Sequence, residues 1–364
     1  MSKIKVGVFG CGRGSSMVEV MSQHPDAELT AICDRYEEGL NNCDKIAKEH
    51  NVSLKLFKDF DEFISCGLDA VVLANYATEH APYAIKCLEN NIHVSSENVA
   101  VTSMEEAFAL LDACKKSKAV YSYAENCCFT PFAREAKRIY DLGDLGQIMH
   151  AEADYIHYAD PEERAALTNN NDPKHWRNNI HSTFYCTHSM GPILYITGLR
   201  PIEIMGIEGP LRKDFFENET AEMKTGAMII VRLNNGAIAK LSPGCHYPRI
   251  PVNWYVLYGS KGCVESDRFD FNYEKIHVNL QKDNNVVSYK PKADTNELAK
   301  KIHTHGGADF YTMNYFLDKI LSRETGKRDI DIYQALDMTC VGILAQESIK
   351  KKGQAVQFPD FRNI

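Results

Sequence analysis

Residues 3–14 read Lys-Ile-Lys-Val-Gly-Val-Phe-Gly-Cys-Gly-Arg-Gly, an apolar stretch that runs directly into a glycine-rich turn. Glycine lets a backbone turn tightly and come close to a pyrophosphate. A helix after the turn would aim its free N–H groups and its positive dipole end at the phosphates. Gly10 and Gly12 fit the dinucleotide-binding fingerprint, whereas Gly14 comes one position early and Ser15 stands where the third glycine usually is. The glycine-rich loop by itself is weak evidence for dinucleotide binding, so the residues that follow it must support the interpretation.

A second apolar stretch, Glu28–Asp34, strengthens the dinucleotide interpretation because it ends in an acid about twenty residues after the turn. A carboxylate at this place hydrogen-bonds the adenosine ribose and repels a 2′-phosphate, so Asp34 favours NAD over NADP. Arg35, which follows it, would offset part of that repulsion. The alternative is a parallel sheet with glycine turns and no nucleotide.

The composition describes a large acidic protein of 364 residues with 44% hydrophobic residues and a net charge of −8. A chain of this length is expected to form two domains. The negative charge argues against nucleic acid or an anionic membrane as a partner, so the ligand is expected to be small. No apolar run approaches the roughly 20 residues of a membrane span and no signal-peptide pattern is present, which predicts a cytoplasmic protein.

Cysteine and histidine spacing gives little support for a metal or a disulfide. The twelve cysteines include no Cys-x-x-Cys pair, and most lie in apolar segments typical of buried thiols in a reducing compartment. His303 and His305 lie close in sequence without a nearby third ligand, which is weak support for a metal site. We predict neither a disulfide nor a metal.

Strand and helix patterns alternate through the first third of the chain, which is typical of a doubly wound α/β unit with parallel strands. The predicted strands lie near 3–9, 28–33, 68–75, 92–96 and 119–123, and the predicted helices near 14–23, 36–50, 79–90 and 103–117. Residues 1–128 are therefore predicted to form an N-terminal Rossmann domain with a parallel sheet. Its ligand would bind at the carboxyl ends of the strands.

The pattern changes after residue 128. Strands are predicted near 148–157, 202–208, 226–233, 237–244 and 253–258, and helices near 131–142, 188–198, 309–322 and 332–350. Asn235-Gly236 is typical of a type I′ hairpin turn, and the polar stretch Ala159–Asn179 is a long loop of the kind that is functional or disordered. Residues 129–364 are predicted to form a substrate-binding and oligomerisation α+β domain with a large open, mostly antiparallel sheet. Its uncovered face predicts a homo-oligomer.

The segments Gly67–Ala74 and Asn91–Asn98 occur in the order typical of the glucose–fructose oxidoreductase/inositol dehydrogenase (Gfo/Idh/MocA) family, which the chain resembles along essentially its whole length. In dehydrogenases of that family the second segment ends in Glu-Lys-Pro, and the lysine supports proton removal from the substrate hydroxyl. Residues 97–99 read Glu-Asn-Val here, and asparagine cannot act as a base. The family acid four residues before the active-site histidine is also absent, because Phe184 stands at that distance from His188.

Four short motifs resemble a branch of the same superfamily that also lacks this lysine, the NAD-dependent glycoside hydrolases typified by α-N-acetylgalactosaminidase. They are Ala124-Glu125-Asn126, Tyr155-Ile156-His157, Thr187-His188-Ser189-Met190-Gly191-Pro192 and His305-Gly306-Gly307-Ala308-Asp309. The resemblance implies that Tyr155 and His188 are an acid/base pair and that Glu125 and His305 line the sugar site. Relatives of similar build oxidise the sugar of a glycoside and stop at the ketone, so oxidation and hydrolysis both remain open.

Hydride transfer from a sugar C–H to NAD requires a base near the hydroxyl. His188 suits this role because the pKa of imidazole is about 6.5; the alternative is a histidine that caps a helix starting at Ser189. Tyr155, with a reference pKa of about 10, would need a nearby cation to act as a base at C2; the alternative is core packing. Glu125 is expected to orient a sugar hydroxyl or the nicotinamide, the alternative being a solvated loop carboxylate.

The sequence thus predicts an NAD-dependent oxidoreductase that oxidises a ring hydroxyl, at C3, of the sugar of a glycoside. The alternatives are a glycoside hydrolase that oxidises, eliminates, adds water and reduces, and a non-catalytic NAD-binding regulator. The predicted catalytic residues are His188, Tyr155 and Glu125, and the predicted substrate contacts are Asn98, Trp176, Tyr185 and His305. The residues predicted to bind NAD are Gly10, Gly12, Arg13, Gly14, Asp34, Arg35, Asn75, Glu97 and Asn126.

Overall fold

The computed structural model describes residues 3–170, 172–210, 225–247, 251–269, 275–283, 285–292, 296–302 and 304–364. The chain divides into two compact units. The first consists of Met1–Phe129 with Ala293–Leu336, and the second of Thr130–Lys292 with Asp337–Ile364.

Strands and helices alternate along the first 123 residues. The strands are β1 (Ile4–Phe9), β2 (Ala27–Cys33), β3 (Lys55–Phe57), β4 (Ala70–Leu73), β5 (His93–Ser96) and β6 (Tyr121–Tyr123). The helices between them are α1 (Ser15–Gln23), α2 (Glu37–Glu49), α3 (Phe60–Ile64), α4 (His80–Glu89) and α5 (Met104–Lys116).

The remaining chain mixes longer strands with helices at both ends. The helices are α6 (Pro131–Asp141), α7 (Pro161–Leu167), α8 (Cys186–Thr197), α9 (Glu297–Lys301), α10 (Ala308–Ile320) and α11 (Ile332–Lys350). The strands are β7 (Ile148–Ile156), β8 (Pro201–Glu208), β9 (Ala227–Leu233), β10 (Ile238–Cys245), β11 (Val252–Gly259), β12 (Gly262–Ser266), β13 (Ile276–Leu280), β14 (Val286–Tyr289) and β15 (Val356–Gln357).

The first unit is built on a six-stranded sheet in the order β3-β2-β1-β4-β5-β6, with every neighbouring pair parallel. Buried strands such as β4, with its run of Ala-Val-Val-Leu, have no polar face because helices cover both sides of such sheets. The strand order changes direction between β1 and β4, which is where ligands bind in folds of this type. The predicted Rossmann fold is confirmed.

Three short elements of this unit, β3, α3 and α9, were not predicted from the sequence. β3 has only three residues, of which Lys55 and Leu56 are exposed, so no apolar run marks it. α3 has five residues and begins where the Asp59 carboxylate accepts hydrogen bonds from the N–H groups of Asp61 and Glu62. Elements this short carry too few residues to show a period.

The segment 293–336 belongs to the first unit, whereas the sequence-based division placed it in the second domain. The reason is the apolar face of α10, whose Phe310, Met313, Phe316 and Leu317 join a core cluster that also contains the buried side chains of α1. A helix that returns to the first unit after about 160 intervening residues cannot be assigned from its own periodicity, because its partner face lies far away in sequence.

The second unit is built on a nine-stranded sheet in the order β14-β13-β12-β11-β7-β10-β9-β8-β15. β7 and β10 are parallel, and the other neighbouring pairs are antiparallel. The prediction of a mostly antiparallel sheet is therefore confirmed, although β12, β13, β14 and β15 were not predicted. α8 packs against β7, β10 and β11 and covers the centre of one face.

The turn between β9 and β10 differs from the predicted type I′ hairpin. A type I′ turn needs positive φ at both central residues, but Gly236 has φ +89° and Asn235 is not in the positive-φ region. The Gly236 N–H donates to the Leu233 carbonyl at 2.8 Å, and the Ala237 N–H donates to Asn235 Oδ1 at 3.0 Å. Asn235 therefore stabilises the turn through its side chain, and Gly236 is the residue of the pair that adopts positive φ.

None of the helices in the described part of the chain has the length and apolar character needed to span a bilayer.

Candidate active site

The loop between β1 and α1 has glycines with two different functions. At Gly10, with φ +93°, an added Cβ would lie 2.3 Å from the Asn75 nitrogen, and at Gly14 it would lie 2.0 Å from the Gly10 carbonyl oxygen. At Gly12 nothing lies within 4 Å of the Cβ position. Gly10 and Gly14 are thus required by the fold, whereas Gly12 leaves open space at the amino end of α1, where a pyrophosphate fits.

Asp34, directly after β2, is tied to this loop. Its Oδ2 accepts a hydrogen bond from the Cys11 N–H at 2.5 Å, and its Oδ1 accepts one from the Tyr36 N–H at 2.8 Å. The residue is buried, so two backbone donors fix the orientation of its carboxylate. Each oxygen keeps a second lone pair that a ribose hydroxyl can use.

Arg35, which directly follows Asp34, is held by an acid and a phenol ring. Its Nη2 donates to Glu79 Oε2 at 2.8 Å, and its Cζ lies 4.8 Å from the centroid of the Tyr76 ring. Tyr76 in turn shares a hydrogen bond of 2.8 Å with the hydroxyl of Tyr36. Because Glu79 balances the guanidinium, Arg35 offsets less of the repulsion between Asp34 and a 2′-phosphate than the sequence suggested.

Three asparagines follow the carboxyl ends of β4, β5 and β6. The Oδ1 atoms of Asn75, Asn98 and Asn126 are buried and accept no hydrogen bond from the described residues. Unsatisfied buried acceptors are costly, and a ligand that brings hydroxyl or amide donors would satisfy them. With the open space at Gly12 and the carboxylate of Asp34, these acceptors fit a dinucleotide that carries ribose hydroxyls and a carboxamide.

Arg13, predicted to bind NAD, points its guanidinium at two acids of its own chain. Its two Nη atoms donate to both carboxylate oxygens of Asp309, at 2.9 and 2.5 Å, and Nη2 lies 3.0 Å from Glu97 Oε1. Burial raises the pKa of Glu97, with Arg13 acting in the opposite direction. Arg13 therefore fastens the glycine-rich loop to the first turn of α10.

Asp309 is the centre of this arrangement, although the sequence analysis did not select it. It also accepts hydrogen bonds from His305 Nδ1 at 3.1 Å and from Asn126 Nδ2 at 3.4 Å. Burial opposes its ionisation, but the charge of Arg13 and the hydrogen bonds from His305 and Arg13 hold its pKa well below the usual range. The spacing of His305 and Asp309 within one motif was the available signal.

His305 and Glu125 differ in their surroundings. His305 adopts φ +51° between α9 and α10 and stays half exposed, whereas His303 lies outside the described residues. Glu125 is fully buried, and its Oε1 accepts a hydrogen bond from the Cys127 N–H at 3.1 Å. The alternative of a solvated loop carboxylate for Glu125 is therefore wrong.

Tyr155 and His188 are brought together in the second unit. Tyr155 lies near the carboxyl end of β7, and its ring centroid is 4.6 Å from that of His188 in the first turn of α8. His188 is also stacked on Tyr185, with ring centroids 5.7 Å apart and planes inclined by 8°. The structure thus places the predicted acid/base pair side by side.

His188 lies inside α8 and is not its cap. The helix begins at Cys186, its N-cap is Tyr185, and that residue makes no side-chain cap hydrogen bond. The alternative of a capping histidine for a helix starting at Ser189 is therefore wrong. The carbonyl of His188 accepts a 2.7 Å hydrogen bond from the hydroxyl of Tyr255 on β11, which fixes the helix turn that carries the imidazole.

A pocket adjoins this pair, and part of its wall comes from the segment 159–179, which was predicted to be a long loop but contains the helix α7. Its lining residues are Tyr155, His157, Ala159, Arg164, Leu167, Thr168, Arg177, Ile180, Tyr185, Gly244 and His246. Trp176 is not one of these lining residues; the centroid of its ring lies 4.5 Å from the Arg177 guanidinium carbon and 6.4 Å from that of the Tyr185 ring. Tyr185 lines the pocket and Trp176 contacts Arg177, which the sequence analysis did not select. That Tyr185 and Trp176 contact the substrate stays a prediction.

Three family models match the sequence. "Oxidoreductase family, NAD-binding Rossmann fold" covers residues 4–125, "GFO/IDH/MocA C-terminal domain" covers 133–265, and "Glycosyl hydrolase 109, C-terminal domain" covers 216–363. Glycosyl hydrolase family 109 protein 1 of Phocaeicola vulgatus is 26% identical over an alignment of 401 residues, which spans 99% of this chain and 84% of the relative.

Solved structures with the same fold cover the chain from end to end. Levoglucosan dehydrogenase in complex with NADH superposes with a TM-score of 0.79 at 16% identity, covering 99% of this chain and all of the other. The WlbA dehydrogenase of Bordetella pertussis, in complex with NADH and UDP-GlcNAcA, superposes with a TM-score of 0.75 at 18% identity, covering 98% of each chain. The chain is therefore an NAD-binding oxidoreductase of the Gfo/Idh/MocA family, similar over its full length to the glycosyl hydrolase 109 proteins.

Proposed function

We propose that the protein oxidises a ring hydroxyl, at C3, of the sugar of a glycoside and passes the hydride to NAD. The observation that carries this proposal is the pairing of Tyr155 with His188, whose ring centroids are 4.6 Å apart beside the pocket of the second unit. Asn98, in the place of the lysine that dehydrogenases of this family use, is an amide and cannot act as a base. The proton of the sugar hydroxyl therefore needs another acceptor, and His188 is the residue suited to it.

In this reaction His188 takes the hydroxyl proton while the C3–H bond breaks. Bound NAD would supply the acceptor of the hydride, so the products would be a 3-keto sugar, NADH and a protonated imidazole. Tyr255 holds the backbone of His188, and Tyr185 stacks on its ring. These contacts restrict the imidazole to one orientation, which is the preorganisation that proton transfer needs.

The dinucleotide contacts follow from the first unit. We assign the pyrophosphate to the space at Gly12 between Gly10 and Gly14, and the adenosine ribose to Asp34. Asn75, Asn98 and Asn126 offer acceptors for the remaining hydroxyl and amide donors. Arg13 and Glu97 act through the loop that they fasten, and Glu125 orients a polar group of the substrate or the nicotinamide.

A second candidate is a glycoside hydrolase that begins with the same oxidation. The observation that favours it is Tyr155, because a ketone at C3 acidifies the C2 proton and a phenol held against His188 is a base for its removal. Elimination of the C1 substituent, addition of water and return of the hydride would complete a cycle without net redox change. The similarity to glycosyl hydrolase 109 proteins supports this candidate.

The experiment that tests the proposal is to incubate the NAD-loaded protein with a panel of glycosides and to measure the keto-sugar and the released aglycone separately. Keto-sugar without aglycone release is expected for the oxidoreductase, and aglycone release without net NADH for the hydrolase. If neither product forms with any glycoside of the panel, the proposal is wrong.

We further propose that the protein assembles with a copy of itself through the uncovered face of its large sheet. On β8 and β9, Ile207 lies opposite Met228 and Met205 opposite Ile230, so their side chains share one face. Met205, Ile207 and Met228 are exposed on the single chain. An apolar strip of this kind is normally buried against another protein surface.

A further inference from the structure

The pocket of the second unit has positively charged side chains in its wall. Its described lining residues include Arg164 and Arg177, together with His157 and His246, but no aspartate or glutamate. The chain as a whole carries a net charge of −8, so a cationic pocket departs from the average of the molecule. Charge of one sign in a concave site attracts ligands of the opposite sign.

Arg177 is oriented by uncharged groups. Its Nη1 donates to the hydroxyl of Tyr185 at 2.8 Å, and its guanidinium carbon lies 4.5 Å from the centroid of the Trp176 ring. A phenol hydroxyl orients the guanidinium but does not neutralise it. Of the five N–H donors of an arginine, this hydrogen bond uses one. The side chain is therefore both fixed in place and available to an anion.

Arg164 brings a second charge to the same wall. It is only 6% exposed, and its Nη2 donates to Asn178 Oδ1 at 2.5 Å. Asn178 is itself oriented, because its Nδ2 donates to the Asp172 carbonyl at 2.7 Å. The contact with Asn178 helps to hold the buried guanidinium in the pocket wall, where its positive charge adds to that of Arg177.

His157 adds an uncharged partner to the two arginines. Burial lowers its pKa, and the neighbouring charge of Arg177 lowers it further. A histidine kept neutral near pH 7 still offers an N–H donor to an oxyanion. Tyr155, two residues earlier on the same strand, lines the same pocket, so an anion held by Arg177 would lie near the residues assigned to catalysis.

We propose that this pocket binds an oxyanion of the substrate, and that the preferred substrate is an acidic glycoside whose sugar or aglycone carries a carboxylate or a phosphate. The inference rests on the proposed function, because the pocket shares Tyr155 and Tyr185 with the proposed site. Planar, forked N–H donors of arginine match the oxygen spacing of both groups. The two sources of the anion differ in charge and geometry, and parallel substrates distinguish them.

The first experiment uses the unmodified, NAD-loaded protein and three glycosides with the same aglycone: a neutral hexoside, the corresponding uronide and the 6-phosphate. We expect kcat/KM for the uronide or the phosphate to exceed that for the neutral sugar by at least about tenfold, and this advantage to shrink as salt rises. The better of the two acidic substrates identifies the anion. Equal or better turnover of the neutral hexoside overturns the inference and leaves the proposed function standing.

A binding measurement without turnover tests the anion site independently of the proposed oxidation. The chain has two tryptophans, and Trp176 touches Arg177, so titration with the uronide and the 6-phosphate is expected to change tryptophan fluorescence at lower concentrations than titration with the neutral sugar. If no substrate is oxidised but the acidic sugars still bind more tightly, the proposed function is wrong and the anion site stands. Equal binding of all three sugars overturns the anion site.

Substitution of Arg177 supplies the residue-level test, with Lys174 as a matched control. Lys174 is exposed on the same loop, so Lys174→Met removes one positive charge without touching the pocket wall. We expect Arg177→Met to lower kcat/KM for the acidic glycoside about 10- to 100-fold, the range for a lost charge-assisted hydrogen bond. The loss of kcat/KM for the neutral glycoside should be smaller, because that substrate loses only the effect of Arg177 on Tyr185. Arg177→Lys should recover part of the loss.

Each variant is first compared with the unmodified protein for NAD affinity and circular dichroism, because the residues assigned to NAD lie in the other unit. An equal loss for the acidic and the neutral glycoside in Arg177→Met would contradict the inference. The same selective loss in Lys174→Met would contradict it too, because it would trace the preference to general electrostatics. If Arg177→Met does not fold, the substrate series and the fluorescence titration decide the matter.

Discussion

Asp34 serves the fold and the cofactor with one carboxylate. It accepts hydrogen bonds from the N–H groups of Cys11 and Tyr36, and its charge faces the space assigned to the ribose. We expect NAD to bind much more tightly than NADP. Asp34→Asn should narrow this difference because the negative charge is lost, although the single amide oxygen can replace only one of the two carboxylate acceptors that hold Cys11 and Tyr36. Asp34→Ala should narrow it as well but weaken both cofactors, since the loop loses its anchor.

Fluorescence titration with NADH and NADPH measures both affinities for each variant. Glu28→Gln is the control, because this exposed residue lies at the start of β2 and loses the same charge away from the loop. Tighter binding of NADP than of NAD by the unmodified protein would contradict the assignment of Asp34 to the ribose.

His188 and Tyr155 are expected to act at different steps. His188→Ala should lower sugar-dependent NAD reduction by about 10²–10⁴-fold, the contribution of a positioned acid or base. Tyr155→Phe keeps the ring that packs on His188 and removes only the hydroxyl. It should retain hydride transfer and lose exchange of the C2 hydrogen with deuterated solvent.

Both steps can be followed in one reaction by NADH absorbance and mass spectrometry of the sugar. A folded, NAD-loaded His188→Ala variant that oxidises glycosides at the unmodified rate would disprove the shared oxidative step. If the unmodified protein forms the ketone with little C2 exchange, the reaction stops at oxidation.

Asp329 gives the first unit a pH-dependent stability. Burial raises its pKa to about 8, and its carboxylate accepts a hydrogen bond from the hydroxyl of Ser122. The unfolded value is about 3.9, so the folded state binds the extra proton between these two values and the unfolded state does not. This contribution to stability is complete below about pH 4 and is lost as the pH rises to about 8.

Urea denaturation between about pH 5 and pH 9 measures this slope. We expect Asp329→Asn to reduce the fall in the free energy of unfolding with rising pH. An amide does not ionise, but its oxygen can still accept the hydrogen bond from Ser122. The exposed Asp112→Asn is the control and should leave the slope unchanged. A slope that Asp329→Asn does not alter would show that this carboxyl does not titrate as described.

At the level of elements, the glycines of the turn from β1 to α1 have two different roles. Gly10 and Gly14 are required by the fold, whereas we assign Gly12 to the binding of the ligand. Gly14→Ala places a Cβ 2.0 Å from the Gly10 carbonyl oxygen and should lower the free energy of unfolding by about 1–3 kcal/mol, as overpacking does. Gly12→Ala meets no atom within 4 Å. It should leave stability nearly unchanged and weaken NAD binding roughly 5- to 150-fold, the same energy expressed as affinity.

Thermal unfolding without cofactor and NADH titration separate the two effects. Each variant serves as the control for the other, since the same methyl group is added two residues apart. Normal NAD affinity in Gly12→Ala would show that the pyrophosphate does not pass over this position.

At the level of the whole molecule, the uncovered sheet face predicts self-association. Ile207, which is 71% exposed on β8, faces outward beside Met228. Ile207→Lys should shift the protein towards monomers in light scattering at micromolar concentration, because burying an unpaired charge in an interface is costly. Leu142→Lys is the control, since this residue is similarly exposed at the end of α6. If the unmodified protein is monomeric at that concentration, the prediction of self-association is wrong.

The sequence by itself determined those features whose signals are local. Gly10 to Gly14, the acid at Asp34 and the alternation of strands and helices specify the parallel sheet and its glycine-rich turn, because tight turns and buried strands restrict residue types over a few positions. The motifs around Tyr155 and His188 likewise identified residues that lie together in the structure.

Only the tertiary structure decided which distant residues meet. Arg13 and Asp309 are 296 positions apart, and nothing local in the sequence indicates that a residue predicted to bind NAD is anchored by a carboxylate of α10. The same holds for α10 itself, which joins the first unit, and for the pairing of Arg35 with Glu79. Arg177 also became a candidate only when the segment 159–179 placed it over Trp176 and against Tyr185. Ion pairs and pocket walls form between residues that are close in space but distant in sequence, and the order of the residues alone does not show which of them meet.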